Sequence, residues 1–125
     1  MKNAILTLFG VAVLFASCSK ERKLNKRLDG EWNVTMVDGN AVNSPMSFVL
    51  KFEKDKKGKG KMTSTFFDGT TTEVENYNYE LDEDNKLYTF ETSGAASDTL
   101  NVAEYSKTKL KLIGTDNYVI EATKK

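Results

Sequence analysis

Two counts bound the chemistry open to this chain: its 125 residues hold no histidine and a single cysteine, Cys18. Without imidazole, the usual acid/base group near neutral pH and the commonest metal ligand are missing. A lone thiol cannot complete a Zn site of Cys and His ligands, and no histidine stands ready to activate it as a nucleophile. Carboxylates, Lys, Tyr and Ser remain. Carboxylates cluster at Asp82-Glu83-Asp84-Asn85. A calcium loop needs oxygens at alternate positions around a central glycine. Lys86 stands where a ligand is required, so this cluster reads as a hairpin turn. Glycoside hydrolysis needs two carboxylates at a set separation across a cleft, and nothing in the spacing singles out a pair. No catalytic residue, metal ligand or cofactor is expected, and the chain is expected not to be an enzyme. Lysines crowd the stretch Lys54 to Lys61, with Gly58 and Gly60 among them. They suit contact with anionic headgroups or, more plainly, a solvated hairpin tip that resists aggregation.

The amino terminus carries its own chemistry. Lys2 precedes a run from Ala4 to Phe15 that is apolar apart from Thr7. The run is too short to span a ~30 Å hydrocarbon core comfortably and fits the apolar region of a secretory signal. It ends Leu14-Phe15-Ala16-Ser17-Cys18, which resembles the lipobox of bacterial lipoproteins, with Phe15 where Leu is commoner. The resemblance covers residues 1–18. It implies a signal peptide over 1–17, cleavage before Cys18, a diacylglycerol thioether on the sulfur and a further acyl chain, such as palmitate, on the new amino terminus. The alternative is an ordinary signal peptide with an incidental cysteine. A free thiol is a liability in an oxidising compartment, so attachment explains Cys18 better. The implied partner is the membrane, held by acyl chains at ~0.8 kcal/mol per buried methylene. By resemblance to Gram-negative lipoproteins, Ser19 in place of Asp implies the outer membrane. The mostly basic Ser19-Lys20-Glu21-Arg22-Lys23, in place of an acidic run, implies the periplasmic face over the cell surface.

Taking 17 residues from 125 leaves 108, enough for one domain with one core and no staples. Its formal charge is −1, which argues against bulk binding of nucleic acid. Residues 18–29 form either a solvated tether or a short helical turn, since Leu24 and Leu28 are spaced i, i+4. Residues 30–125 form the domain. From Glu31 onward, runs rich in Thr, Val, Tyr and Phe alternate with Gly/Asx turns, which is a strand pattern. Strands are expected at 31–37, 46–53, 61–67, 73–81, 86–91, 99–105, 109–113 and 118–123. Asp38-Gly39 and Asp68-Gly69 suit turns needing positive φ, and Gly58 and Gly60 are expected to lend their loop backbone freedom. Period-two alternation assigns inner faces to Trp32, Val34 and Met36; Phe48, Leu50 and Phe52; Tyr77, Tyr79 and Leu81; Leu100 and Val102; Leu110 and Leu112; and Tyr118, Ile120 and Ala122. The third strand reads as Met62 with Phe66 or Phe67, and the fifth as Leu87 or as Tyr88 with Phe90. One apolar face per strand implies one interior. The fold class is all-β: a small antiparallel eight-stranded up-and-down β-barrel, with an open β-sandwich as the alternative.

Gly30-Glu31-Trp32 opens the first strand and is similar to the Gly-x-Trp that begins the first strand of lipocalins. Leu28 to Thr35, Leu-x-Gly-x-Trp-x-Val-Thr, also resembles small bacterial lipocalin-like lipoproteins. The resemblance implies that Trp32 plugs the closed end of the barrel against an N-terminal helical turn. In lipocalins an arginine from the last strand often covers that Trp. No arginine follows Arg27, which leaves Lys124 or Lys125 as an imperfect substitute.

An eight-stranded barrel is either filled by side chains or holds one small ligand. Phe48, Phe52, Tyr77, Tyr79 and Tyr118 are the candidate lining of a cup with a phenolic edge; otherwise they fill the core. The expected function is therefore binding of a small apolar or amphipathic molecule by an outer-membrane lipoprotein. The alternative is a non-enzymatic interaction or inhibitor module with a filled barrel, whose protein partner the sequence does not name.

Overall fold

A computed structural model describes residues 23–125. The signal region 1–17 and Cys18 lie outside the described residues. Residues 23–28 form one helical turn, α1. Its Leu24 and Leu28 are buried side by side against one end of the strands, as their i, i+4 spacing allows. Strands follow at β1 (Gly30–Val37), β2 (Asn40–Ala41), β3 (Ser47–Lys54), β4 (Lys59–Phe67), β5 (Thr72–Leu81), β6 (Lys86–Glu91), β7 (Ala96–Tyr105), β8 (Lys109–Gly114) and β9 (Val119–Lys124).

Eight of these run as an antiparallel meander from β1 through β3 to β9, and β1 pairs back with β9. That pairing closes the sheet into a barrel and rules out the open sandwich. Closure leaves no long edge for another chain to extend. The two-residue β2 is an addition to the expected strands. Asp38 and Gly39 both take positive φ, 52° and 83°, so the chain reverses tightly and Asn40–Ala41 pair back on β1.

Alternation fails at one expected position. Trp32 and Val34 are buried, but Met36 is 37 % exposed and Val37 packs on the core instead. The β1–β9 register explains this. Val34 faces Ala122, yet Met36 faces Glu121 and Val37 faces Ile120, so Thr35 is an extra residue. A bulge of one residue turns every following side chain to the other face. The two open assignments are settled by burial on β6 and, on β4, by parity with buried Met62 and a ring contact. Met62 points inward with Phe66, whose ring meets Phe48 edge-on at 5.7 Å, and β6 turns Leu87 and Thr89 inward.

The α1 end is packed solid. Trp32, Phe52, Tyr79, Leu24 and Leu28 all lie at 1 % exposure or below. Trp32 Nε1 donates to the Leu28 carbonyl at 2.8 Å, which ties α1 to β1. Lys124 reaches across from β9. Its ammonium lies 4.6 Å from the Trp32 ring centroid and donates to the carbonyls of Asp29 and Arg27. It is Lys124, not Lys125, that covers the indole; Lys125 faces Glu31 at 3.8 Å. Gly30 is required beneath it. Its φ is +116°, and a Cβ there would come within 2.8 Å of the Lys124 nitrogen. Trp32→Ala is expected to destabilise the domain by about 3–5 kcal/mol, and Met36→Ala by under about 0.5 kcal/mol. Denaturant melts of both variants check this. Equal losses would remove the keystone role of Trp32.

Candidate functional site

Above the packed floor the barrel opens into a cavity of about 170 Å³ at the end away from α1. Its apolar wall comes from Phe48 and Leu50 on β3, Met62 on β4, Leu100 on β7, Leu112 on β8 and Ile120 on β9. Its polar edge comes from Ser64, Glu75, Tyr77, Thr89, Ser97, Asp98 and Tyr118. Strands β3 to β9 contribute through inward residues, so most of the wall and edge follows from the same alternation that builds the core.

Three of the five aromatic residues expected in a cup line this cavity: Phe48, Tyr77 and Tyr118. Tyr118 does so from the turn preceding β9, 43 % exposed, not from the strand itself. Phe52 and Tyr79 lie in the floor instead. Their rings meet edge-on at 5.6 Å, and both are 1 % exposed. Tyr79 has a structural bond to make. Its hydroxyl donates to Asn25 Oδ1 at 2.5 Å, and Asn25 Nδ2 donates to the Lys59 carbonyl at 3.2 Å. These bonds fix α1 to β4 and β5 and leave the buried Asn25 satisfied, as a buried amide must be. Burial, and then the charges of Asp29 and Asp55, hold the Tyr79 phenol well above the usual range. Gly60 makes room for it. Its φ is not positive, and a Cβ there would lie 2.6 Å from the Tyr79 ring. Gly60 therefore supplies space, not the backbone freedom expected of it.

Beyond the phenols of Tyr77 and Tyr118, the polar edge is absent from the sequence-based expectation, although part of it is readable. Glu75 shares the parity of Tyr77 and Tyr79, and Asp98 that of Leu100 and Val102. Extending each alternation two residues toward the loop finds both. Ser97 is not readable. Thr89 faces Asp98 but Phe90 faces Ala96, so Ser97 is the extra residue of a bulge, and two consecutive side chains reach the cavity.

The edge is internally bonded. The Tyr77 hydroxyl donates to Glu75 Oε2. Thr89 Oγ1, buried, accepts from the Asp98 amide at 3.0 Å and donates to its carbonyl at 3.3 Å. Asp98 Oδ1 accepts from the Thr99 amide at 2.8 Å. The Glu75 bond, reinforced by burial and by the charges of Glu75, Glu91 and Asp98, pushes the Tyr77 phenol up to about 12.

A family model for the lipocalin-like domain matches residues 28–112. The chain belongs to the lipocalin-like family. The match begins at Leu28, whose carbonyl takes the Trp32 indole hydrogen, so the family region starts at the closing contact of the barrel. No curated protein matches the chain. A lipocalin-like barrel of this size is a small-molecule-binding fold, with its interior as the place of binding. Among the described residues no group of three or more His, Cys, Asp or Glu is arranged to hold a metal ion.

Glu75→Gln is expected to bring the Tyr77 ring transition to lower pH, because Gln accepts the same hydrogen bond without the charge that opposes phenolate. NMR of the tyrosine rings across alkaline pH reads this. An unmoved transition would show that the Glu75 carboxylate is not its cause.

Proposed function

We propose that this lipocalin-like domain binds one small apolar or amphipathic molecule in the barrel mouth, as a lipoprotein held at the outer membrane through acyl chains on Cys18. The observation that carries the binding reading is the cavity: a solid floor, an apolar wall and a polar edge facing outward. Its volume bounds the ligand. An apolar cavity of about 150 Å³ is known to take one benzene ring, and drug-sized ligands need about 300 Å³ or more. The occupant is a single ring or its equivalent, or the end of a longer molecule that projects into solvent. Residues 19–22 separate Cys18 from α1, and α1 covers the closed end. The proposed tether joins the chain at the floor end, and the mouth is proposed to face away from the bilayer on the periplasmic side. The proposed role is binding and not catalysis.

Toluene titrated into the folded domain is expected to shift the methyl resonances of Leu50, Met62 and Leu112, saturating at one equivalent. Ser64→Phe fills the cavity and abolishes the shifts while the domain still melts cooperatively. Absence of shifts in the wild type overturns the reading. For the anchor, Cys18→Ala is expected to move the domain to the soluble fraction still folded; persistent membrane attachment overturns it.

A second reading has its own observation. Met36, Met46, Val74 and Tyr118 are exposed large apolar residues, and all lie at the mouth end. They suit a protein partner docking on the rim. Met46→Asp with Val74→Asp would then release a protein that co-purifies with the native chain; unchanged recovery ends this reading.

A further inference from the structure

The mouth is charged with one sign. Strand ends and loops over residues 36–48, 66–75, 90–98 and 114–119 make up the open end of the barrel. They carry Asp38, Asp68, Glu73, Glu75, Glu91, Asp98 and Asp116, and no lysine or arginine. The rest of the described chain carries fifteen basic residues against ten acidic ones. Near-neutral net charge thus conceals a barrel polarised along its axis.

The polarity enters the cavity. Glu75 and Asp98 both line it, together with Tyr77 and Ser97, and no basic residue lines it. A neighbouring cleft shares Ser97, Asp98 and Tyr118 with the cavity and adds Asp38 and Asp116, again without a base. Among the described residues the ion pairs are Lys51–Glu53, Lys59–Glu80 and Lys125–Glu31. None involves a carboxylate of the mouth. The Tyr77 phenol registers the same field, since Glu75, Glu91 and Asp98 all oppose its ionisation.

We infer that the ligand of this cavity is a small cation: an aromatic or apolar body carrying a protonated amine. The inference rests on the binding reading above and names the ligand's charge. The body occupies the wall formed by Phe48, Leu50, Met62 and Leu112. The ammonium lies at the edge, where Glu75 and Asp98 accept its hydrogens and the rings of Tyr77 and Tyr118 offer π faces. An anion of equal size meets two carboxylates that no basic residue neutralises, and like charge there acts against binding. Clefts lined by one sign of charge also concentrate the opposite ion and speed its capture.

Calorimetric or NMR titration with three probes of one shape tests this: 2-phenylethylammonium, 2-phenylethanol and phenylacetate. The ammonium is expected to bind about tenfold or more tightly than the alcohol, a difference of about 1.4 kcal/mol, and phenylacetate more weakly than the alcohol. Raising salt is expected to weaken the ammonium alone. Glu75→Gln with Asp98→Asn should bring the ammonium to within about twofold of the alcohol, on the same scale of affinity, and leave the alcohol unchanged. Glu104→Gln, at the other end of the barrel, should leave the preference intact. If the alcohol or phenylacetate binds as well as the ammonium, the charge inference is overturned while the binding reading stands. If no probe binds, the binding reading itself falls. Should the double variant fail to fold, the wild-type probe series and its salt dependence still separate these outcomes.

Discussion

The contact on which this barrel depends is the clasp at its closed end, where Lys124 of the last strand lies over Trp32 of the first. Three separate constraints meet there. The indole hydrogen must be satisfied inside a dry floor, and the Leu28 carbonyl at the end of α1 does so. The ammonium reaches the ring from β9 past Gly30, whose φ of +116° favours glycine and whose lack of Cβ leaves it room. The carbonyls freed at the end of α1 need donors, and Lys124 supplies them to Arg27 and Asp29. Burial alone lowers the Lys124 pKa, while the charge of Asp29 acts in the opposite direction. Sheet closure, helix docking and core filling thus share one set of atoms.

Floor and mouth divide the work of the interior. At the floor, large side chains pack closely, and the buried polar atoms have partners. Tyr79 and Asn25 illustrate this: the phenol fills volume, and its hydroxyl recruits α1. Toward the mouth the inward residues shrink or become polar, as at Ser64, Glu75, Thr89 and Asp98. A cavity remains among these residues, walled by Phe48, Leu50, Met62 and Leu112. The same gradient separates charge, since the segments that form the mouth hold no lysine.

Much of this is legible in the residues. Eight strands, their turns, the Asp38-Gly39 reversal and most of the inner face follow from period-two alternation and turn chemistry. The place of Gly30 and Trp32 at the start of the barrel is legible too. The candidate site is legible only in part. Phe48, Tyr77 and Tyr118 reach the cavity, whereas Phe52 and Tyr79 belong to the floor. Alternation tells which face a side chain takes but not its height along the barrel. Height depends on the stagger between strands, which is a property of their pairing. Glu75 and Asp98 escape notice when an apolar pattern is followed only to its last apolar residue, because the strands continue beyond it.

The sequence by itself determined the eight strands of the barrel, the single interior, the closing Trp and the lack of histidine chemistry, because local periodicity and composition are sufficient for each. Only the tertiary structure decided closure over an open sandwich, the choice of Lys124 over Lys125, and the bulges that expose Met36 and admit Ser97. It also gathered seven scattered carboxylates at one end of a nearly neutral chain. These depend on register between segments far apart in sequence. Register is set by the simultaneous packing of all eight strands around one floor, which no single strand encodes.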